Sequence, residues 1–124
     1  MPLRSPVALI IDDEEDICFL LGIVLKQKHY EVVNSNSLKE GRKKLEELKP
    51  EVLFLDISLP DGSGLKEIKA FRKQYPEMKI VVMSAHDGTA EKKSAIQDGA
   101  DYFLGKPLSQ EVIENSIEQL FEKK

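Results

Sequence analysis

Apolar residues in this chain fall into short unbroken runs separated by longer stretches of helical spacing. Residues 7–11 (VALII), 52–55 (VLFL) and 80–83 (IVVM) are such runs, and 32–33 and 102–104 are shorter members of the series. A strand with one wet face alternates apolar and polar residues, so a run without alternation predicts a strand covered on both faces, as in a parallel sheet. Between the runs, Ile17, Leu20, Leu21, Val24 and Leu25 mark one helical stripe. Leu38, Leu45 and Leu48 mark a second, capped by Ser37 and stopped by Pro50. Leu65, Ile68, Phe71 and Tyr75 mark a third, which ends at Pro76; Ile113, Ile117, Leu120 and Phe121 mark the last, capped by Ser109. The stretch 89–97 is the weakest, with Ala90, Ala95 and Ile96 as its apolar members and Gly99 as its terminator.

Five strands alternating with five helices make a (βα)5 chain, and right-handed crossovers fold such a chain into a doubly wound, three-layer α/β sandwich. A length of 124 residues fits one domain, 1–124, without repeat, low-complexity tract or internal linker. The helical ending at 122–124 fits either a free-standing module or the amino-terminal part of a longer regulator.

Composition narrows the setting. The net charge of -4 and the lack of a long Lys/Arg run argue against direct nucleic-acid contact by this domain. A single cysteine, Cys18, excludes an intrachain disulfide and fits a reducing compartment; its neighbours Ile17, Phe19, Leu20 and Leu21 suit a buried thiol. No apolar stretch approaches the ~20 residues needed to span a bilayer, and the opening residues do not form a signal peptide. The expected location is cytoplasmic, away from membranes.

In an open parallel sheet, loops at the carboxyl ends of the strands meet over a crevice where the strand order reverses. The first run is followed by Asp12, Asp13, Glu14, Glu15 and Asp16, the third by Asp56, the fourth by Ser84 and the fifth by Gly105, Lys106 and Pro107. The second ends in Asn34-Ser35-Asn36 and reads as an edge outside the crevice. Asp12, Asp13 and Asp56 beside one lysine would repel one another unless a cation joined them. An oxygen donor set suits magnesium, and the chain lacks the Cys/His spacings of a zinc site. Glu14, Glu15 and Asp16 also suit the dipole of the first helix. The turn 59–64 is shaped by its proline and glycines and is assigned no chemistry.

The segments IIDDEED (10–16), LFLDISLPDGSG (53–64), VVMSAH (81–86) and GADYFLGKP (99–107), in that order, resemble the receiver domain of two-component response regulators, of the chemotaxis-regulator-like kind. The resemblance implies a flavodoxin-like five-stranded sheet of order 2-1-3-4-5. It implies a phosphoacceptor at Asp56, with Mg2+ (Mn2+ as a substitute) held by Asp12, Asp13, Asp56 and the backbone carbonyl of Ser58. Ser84 and Lys106 would bind the phosphoryl group. Ser84 and Phe103 would form the switch, and Ser58 and His86, two residues beyond Asp56 and Ser84, would tune hydrolysis. A cis bond after Lys106 is a further expectation of the family. Phe103 stands where tyrosine is commoner, so hydroxyl-dependent contacts are absent, and Phe103 also suits a plain core role. Tyr102 lies on the opposite face by strand alternation.

The implied function is a signalling switch that catalyses only its own phosphorylation and dephosphorylation. The implied partners are a sensor histidine kinase or phosphotransfer protein, an output domain or effector on the face from Thr89 to Phe121, and a homodimer mate. A degenerate receiver that only binds proteins is the alternative, but it would lack Asp56, Lys106 or the acidic pair. A flavodoxin needs a hydroxyl-rich phosphate loop after the first strand. An aspartate-nucleophile phosphatase needs Asp-x-Asp there and a large lid domain.

Overall fold

The computed structural model describes residues 5–85 and 89–121. Its elements run β1 (Val7–Ile11), α1 (Glu15–Gln27), β2 (Glu31–Ser35), α2 (Leu38–Leu48), β3 (Val52–Asp56), α3 (Ile68–Gln74), β4 (Lys79–Ser84), α4 (Thr89–Asp98), β5 (Tyr102–Gly105) and α5 (Gln110–Phe121). The strands form one parallel sheet in the order β2-β1-β3-β4-β5, the doubly wound arrangement expected.

The unbroken apolar runs are explained by two separate cores. Leu9, Ile11, Leu53, Leu55, Ile80 and Val82 face α2, α3 and α4, in a layer that includes Leu38, Leu45, Ile68, Phe71 and Ala95. Their alternate neighbours Ala8, Ile10, Val52, Phe54, Val81 and Met83 face α1 and α5, with Leu21, Val24, Leu25, Ile113, Ile117 and Leu120. Successive side chains of a strand point to opposite faces, so a strand covered twice must be apolar at every position. Gly41 lets α2 lie close to β1, because a Cβ there would run into the Ile11 side chain.

Local signals act as the residues suggest. The Ser37 hydroxyl accepts the Glu40 N–H at 3.2 Å, and the Ser109 hydroxyl accepts the Val112 N–H at 3.2 Å, which caps α2 and α5. The third helical stripe begins as a 3-10 turn, Gly64–Glu67, before α3 proper. A two-stranded hairpin, Ser58–Leu59 with Gly62–Ser63, precedes it. Helix α4 buries only Ala95 and leaves Ile96 44% exposed. Phe121 is not in the core: it is 41% exposed, with its ring 6.1 Å from that of Tyr30.

At the end of the sheet away from the acidic residues, Arg72 ties several elements together. Its guanidinium donates to the carbonyls of Pro76 (3.0 Å), Met78 (2.7 Å) and Gly99 (2.8 Å) and pairs with Asp101 at 2.7 Å. The same Asp101 oxygen accepts the Ile80 N–H at 2.9 Å. Gly99 closes α4 at φ 122°, a left-handed region in which side chains are strained.

Candidate functional site

Strand order reverses between β1 and β3, so their carboxyl ends open the crevice that topology predicts. Asp12 and Asp13 leave β1, Asp56 ends β3, Ser84 ends β4 and Lys106 follows β5. Asp13, Asp56, Ser84 and Lys106, together with Ser58 and Glu91, line a cleft of about 440 Å3, and the buried Asp12 carboxylate lies beside those of Asp13 and Asp56.

One carboxylate oxygen from each of Asp12, Asp13 and Asp56 lies within 4.8 Å of the others. Asp12 and Asp56 are 1% and 3% exposed, while Asp13 opens to solvent. Lys106 Nζ, with a side chain only 10% exposed, sits 2.7 Å from Glu14 Oε1, 3.0 Å from Asp12 Oδ2 and 3.4 Å from Asp56 Oδ2. One ammonium thus answers a group of carboxylates that outnumber it. Asp12 Oδ1 accepts the Glu14 N–H at 2.8 Å, whereas buried Asp12 Oδ2 faces Lys106 without a directed hydrogen bond. An all-oxygen donor set with residual negative charge and an under-satisfied oxygen fits a hard divalent cation.

Burial pushes the Asp56 carboxyl up from 3.8 to about 6, and Asp12 adds to the rise; the Ser58 N–H (3.1 Å) and Lys106 oppose it. For Lys106, burial disfavours the charge, but the hydrogen bond to Glu14 and the neighbouring charges of Asp12 and Asp56 outweigh it and hold the ammonium above its ordinary value. Cys18 is half-buried with Sγ 3.5 Å from the Asp12 carbonyl; burial first, then Asp12, pushes the thiol up to about 11. A thiol so held is a poor nucleophile.

The turn after β3 does more than connect. Gly64 packs so closely that a Cβ would strike the Asp56 backbone carbonyl, so only glycine lets the hairpin approach Asp56. The exposed Asp61 carboxylate accepts the N–H groups of Leu38 (2.8 Å) and Lys39 (3.0 Å), which caps α2 from the turn after β3. The Leu38 N–H bond, then that of Lys39, lowers the Asp61 pKa.

Asp12, Asp13, Asp56, Ser58, Ser84 and Lys106 therefore converge as the sequence predicts. Phe103 packs against the α2–α4 core while Tyr102 packs against the α1–α5 core, on opposite faces. The Lys106–Pro107 peptide is cis. His86 lies outside the described residues. Two participants escaped sequence reasoning. Glu14, assigned to the helix dipole, binds Lys106, and Glu91 accepts the Ser84 hydroxyl at 3.2 Å. Glu14 adjoins the acidic pair, which is a usable signal; nothing in the pattern marks Glu91.

The family model described as the response regulator receiver domain matches residues 8–118. The alkaline phosphatase synthesis transcriptional regulatory protein PhoP of Bacillus subtilis (strain 168) is 35% identical over 101 residues, which are 82% of this chain and 42% of that protein. The chain thus spans less than half the length of this curated relative. The beryllofluoride-activated NtrC4 receiver domain dimer, solved in solution, superposes with a TM-score of 0.87 at 34% identity, covering 94% of this chain and 96% of that one. A response regulator from Burkholderia pseudomallei, crystallised with a phosphorylated aspartic acid, calcium ion and citrate, gives 0.80 at 28% identity over 97% of this chain and 76% of that one. Among the described residues, no helix is long and apolar enough to cross a membrane.

Proposed function

The chain belongs to the response regulator receiver family, and on that premise we propose that it is a phosphoacceptor switch charged on Asp56. The observation that carries this reading is the convergence of Asp12, Asp13 and Asp56 beside Lys106 at the mouth of the sheet. A carboxylate oxygen of Asp56 attacks phosphorus in a phosphohistidine or in acetyl phosphate. An acyl phosphate forms as the bond to the imidazole nitrogen or the acetate oxygen breaks. Lys106 and the Ser84 hydroxyl, which line the same cleft as Asp56, would receive the transferred oxygens.

Asp12, Asp13, Asp56 and the Ser58 carbonyl would hold Mg2+, or Mn2+ in its place. The metal supplies charge neutralisation for the carboxylates and the phosphoryl oxygens. The partners implied are a histidine kinase or phosphotransfer protein as donor, and an output domain, effector or second copy of the chain on the face from Thr89 to Phe121. The chain catalyses only its own phosphorylation and hydrolysis. Incubation with acetyl phosphate should give acid-stable, base-labile phosphate only with Mg2+ present and none on Asp56→Asn. Equal labelling of that variant would defeat the assignment.

A further inference from the structure

We propose that Glu91 is a latch on the phosphoryl site, holding the Ser84 hydroxyl until a phosphoryl group on Asp56 takes its place. This rests on the phosphoacceptor reading and adds a residue that the reading does not use. Ser84 is 1% exposed at the end of β4, and its O–H donates to Glu91 Oε1 at 3.2 Å from the first turn of α4. A hydroxyl has one proton to donate, so the bond to Glu91 and a bond to a phosphoryl oxygen exclude each other.

Electrostatics sets the direction of the exchange. Glu91 lines the same cleft as Asp13, Glu14, Asp56 and Lys106, where carboxylates already outnumber ammonium groups. A phosphoryl group on Asp56 adds negative charge opposite Glu91 and repels it. The helix that carries Glu91 can yield, because α4 buries only Ala95. Lys106 is likewise held by a carboxylate, Glu14, but that side chain is 58% exposed and its bond is weak in solvent. Glu91, within a part-buried hydrogen bond, is the stronger restraint. Release of Ser84 thus frees the first turn of α4 in the same event that binds the phosphoryl group.

The test is a double-mutant cycle of Glu91→Gln and Ser84→Ala, read by NMR titration with magnesium and then beryllofluoride, a phosphoryl mimic. Glutamine keeps helix propensity and length while removing the charge. Glu91→Gln should bind beryllofluoride about fivefold more tightly than wild type, the effect of relieving one competing charge-assisted hydrogen bond. In the Ser84→Ala background the same substitution should raise affinity by no more than about twofold, the share left to charge repulsion once the bond to Ser84 is gone. Amide exchange over residues 89–98, measured without metal or mimic, should quicken in Glu91→Gln and in Ser84→Ala alike. An undiminished gain in the Ser84→Ala background would overturn the latch in favour of simple charge repulsion. So would unchanged affinity and exchange in Glu91→Gln beside normal wild-type binding. Failure of the wild type to bind beryllofluoride would overturn the phosphoacceptor reading and the latch with it.

Discussion

Asp56 is held in the magnesium-free protein against its own charge, and Asp56→Asn should therefore stabilise that form at neutral pH. Its carboxyl titrates at about 6 in the fold against an ordinary 3.8, chiefly because it is buried. The folded state binds this proton more tightly than the unfolded state, so the contribution is present below pH 3.8 and lost as pH rises through 6. A rise of about two units, at about 1.4 kcal/mol each, sets a ceiling of about 3 kcal/mol on the cost of ionised Asp56 at pH 8. Relaxation of the surrounding carboxylates lowers the expected gain for Asp56→Asn to about 2 kcal/mol, since effective dielectric response softens buried charge. An asparagine can still accept the Ser58 N–H, so the turn keeps its bond. The assay is urea unfolding of both proteins with a chelator from pH 4 to pH 8. Taking the difference between them cancels groups with depressed values, such as Asp61, which act in the opposite sense. The gap should open between pH 4 and pH 6.5, and millimolar Mg2+ should narrow it by stabilising the wild type. A constant gap across that range, or a wild type more stable than the variant at pH 8, would refute the reasoning.

Lys106→Ala should lower stability without metal, because three carboxylates lose their shared ammonium, yet still bind Mg2+. By NMR with beryllofluoride it should show little of the wild-type shift in α4 and β5. A lost differential bond of about 2 kcal/mol moves such an equilibrium about thirtyfold. Lys106→Arg should restore little, since a planar guanidinium differs from a compact ammonium. Gly99→Ala should cost about 2–3 kcal/mol in urea unfolding, combining left-handed strain with overpacking. Its Cβ would lie 2.9 Å from Arg72 Cβ and Cγ at φ +122°. Lys49→Gly should add about 0.5–1 kcal/mol, because Lys49 ends α2 in the left-handed region at φ 47°.

The central sheet was legible because β1, β3 and β4 are covered twice, which forces the apolar runs that mark them. Edge strands lose one neighbour and part of their cover, so β2 and β5 announced themselves with only two and three apolar residues. The crevice residues were legible for a topological reason: each follows the end of a strand, and parallel strands bring those ends together. What stayed hidden depends on side-chain reach across the chain. Glu14 meets Lys106 over 92 positions, Asp61 caps a helix 23 residues earlier, and Arg72 reaches Gly99 27 residues on. Such polar contacts leave no period in the sequence. The 3-10 turn at Gly64–Glu67 also escaped, because i, i+3 spacing is common to both helix types.

The position of Arg72 gives α4 the mechanics of a cantilever. Its base is clamped where the guanidinium grips the Gly99 carbonyl and Asp101, at the end of the sheet remote from the crevice. Its tip, at Thr89 and Glu91, reaches the crevice through a hydrogen bond to Ser84. A beam fixed at one end turns a small rotation into a graded displacement, least at the clamp and greatest at the tip. With ten residues at about 1.5 Å each, a tilt of about 10° carries the tip through about 2.5 Å while Gly99 stays put. Any surface that reads this helix would gain most by gripping it near Thr89, where the lever arm is longest.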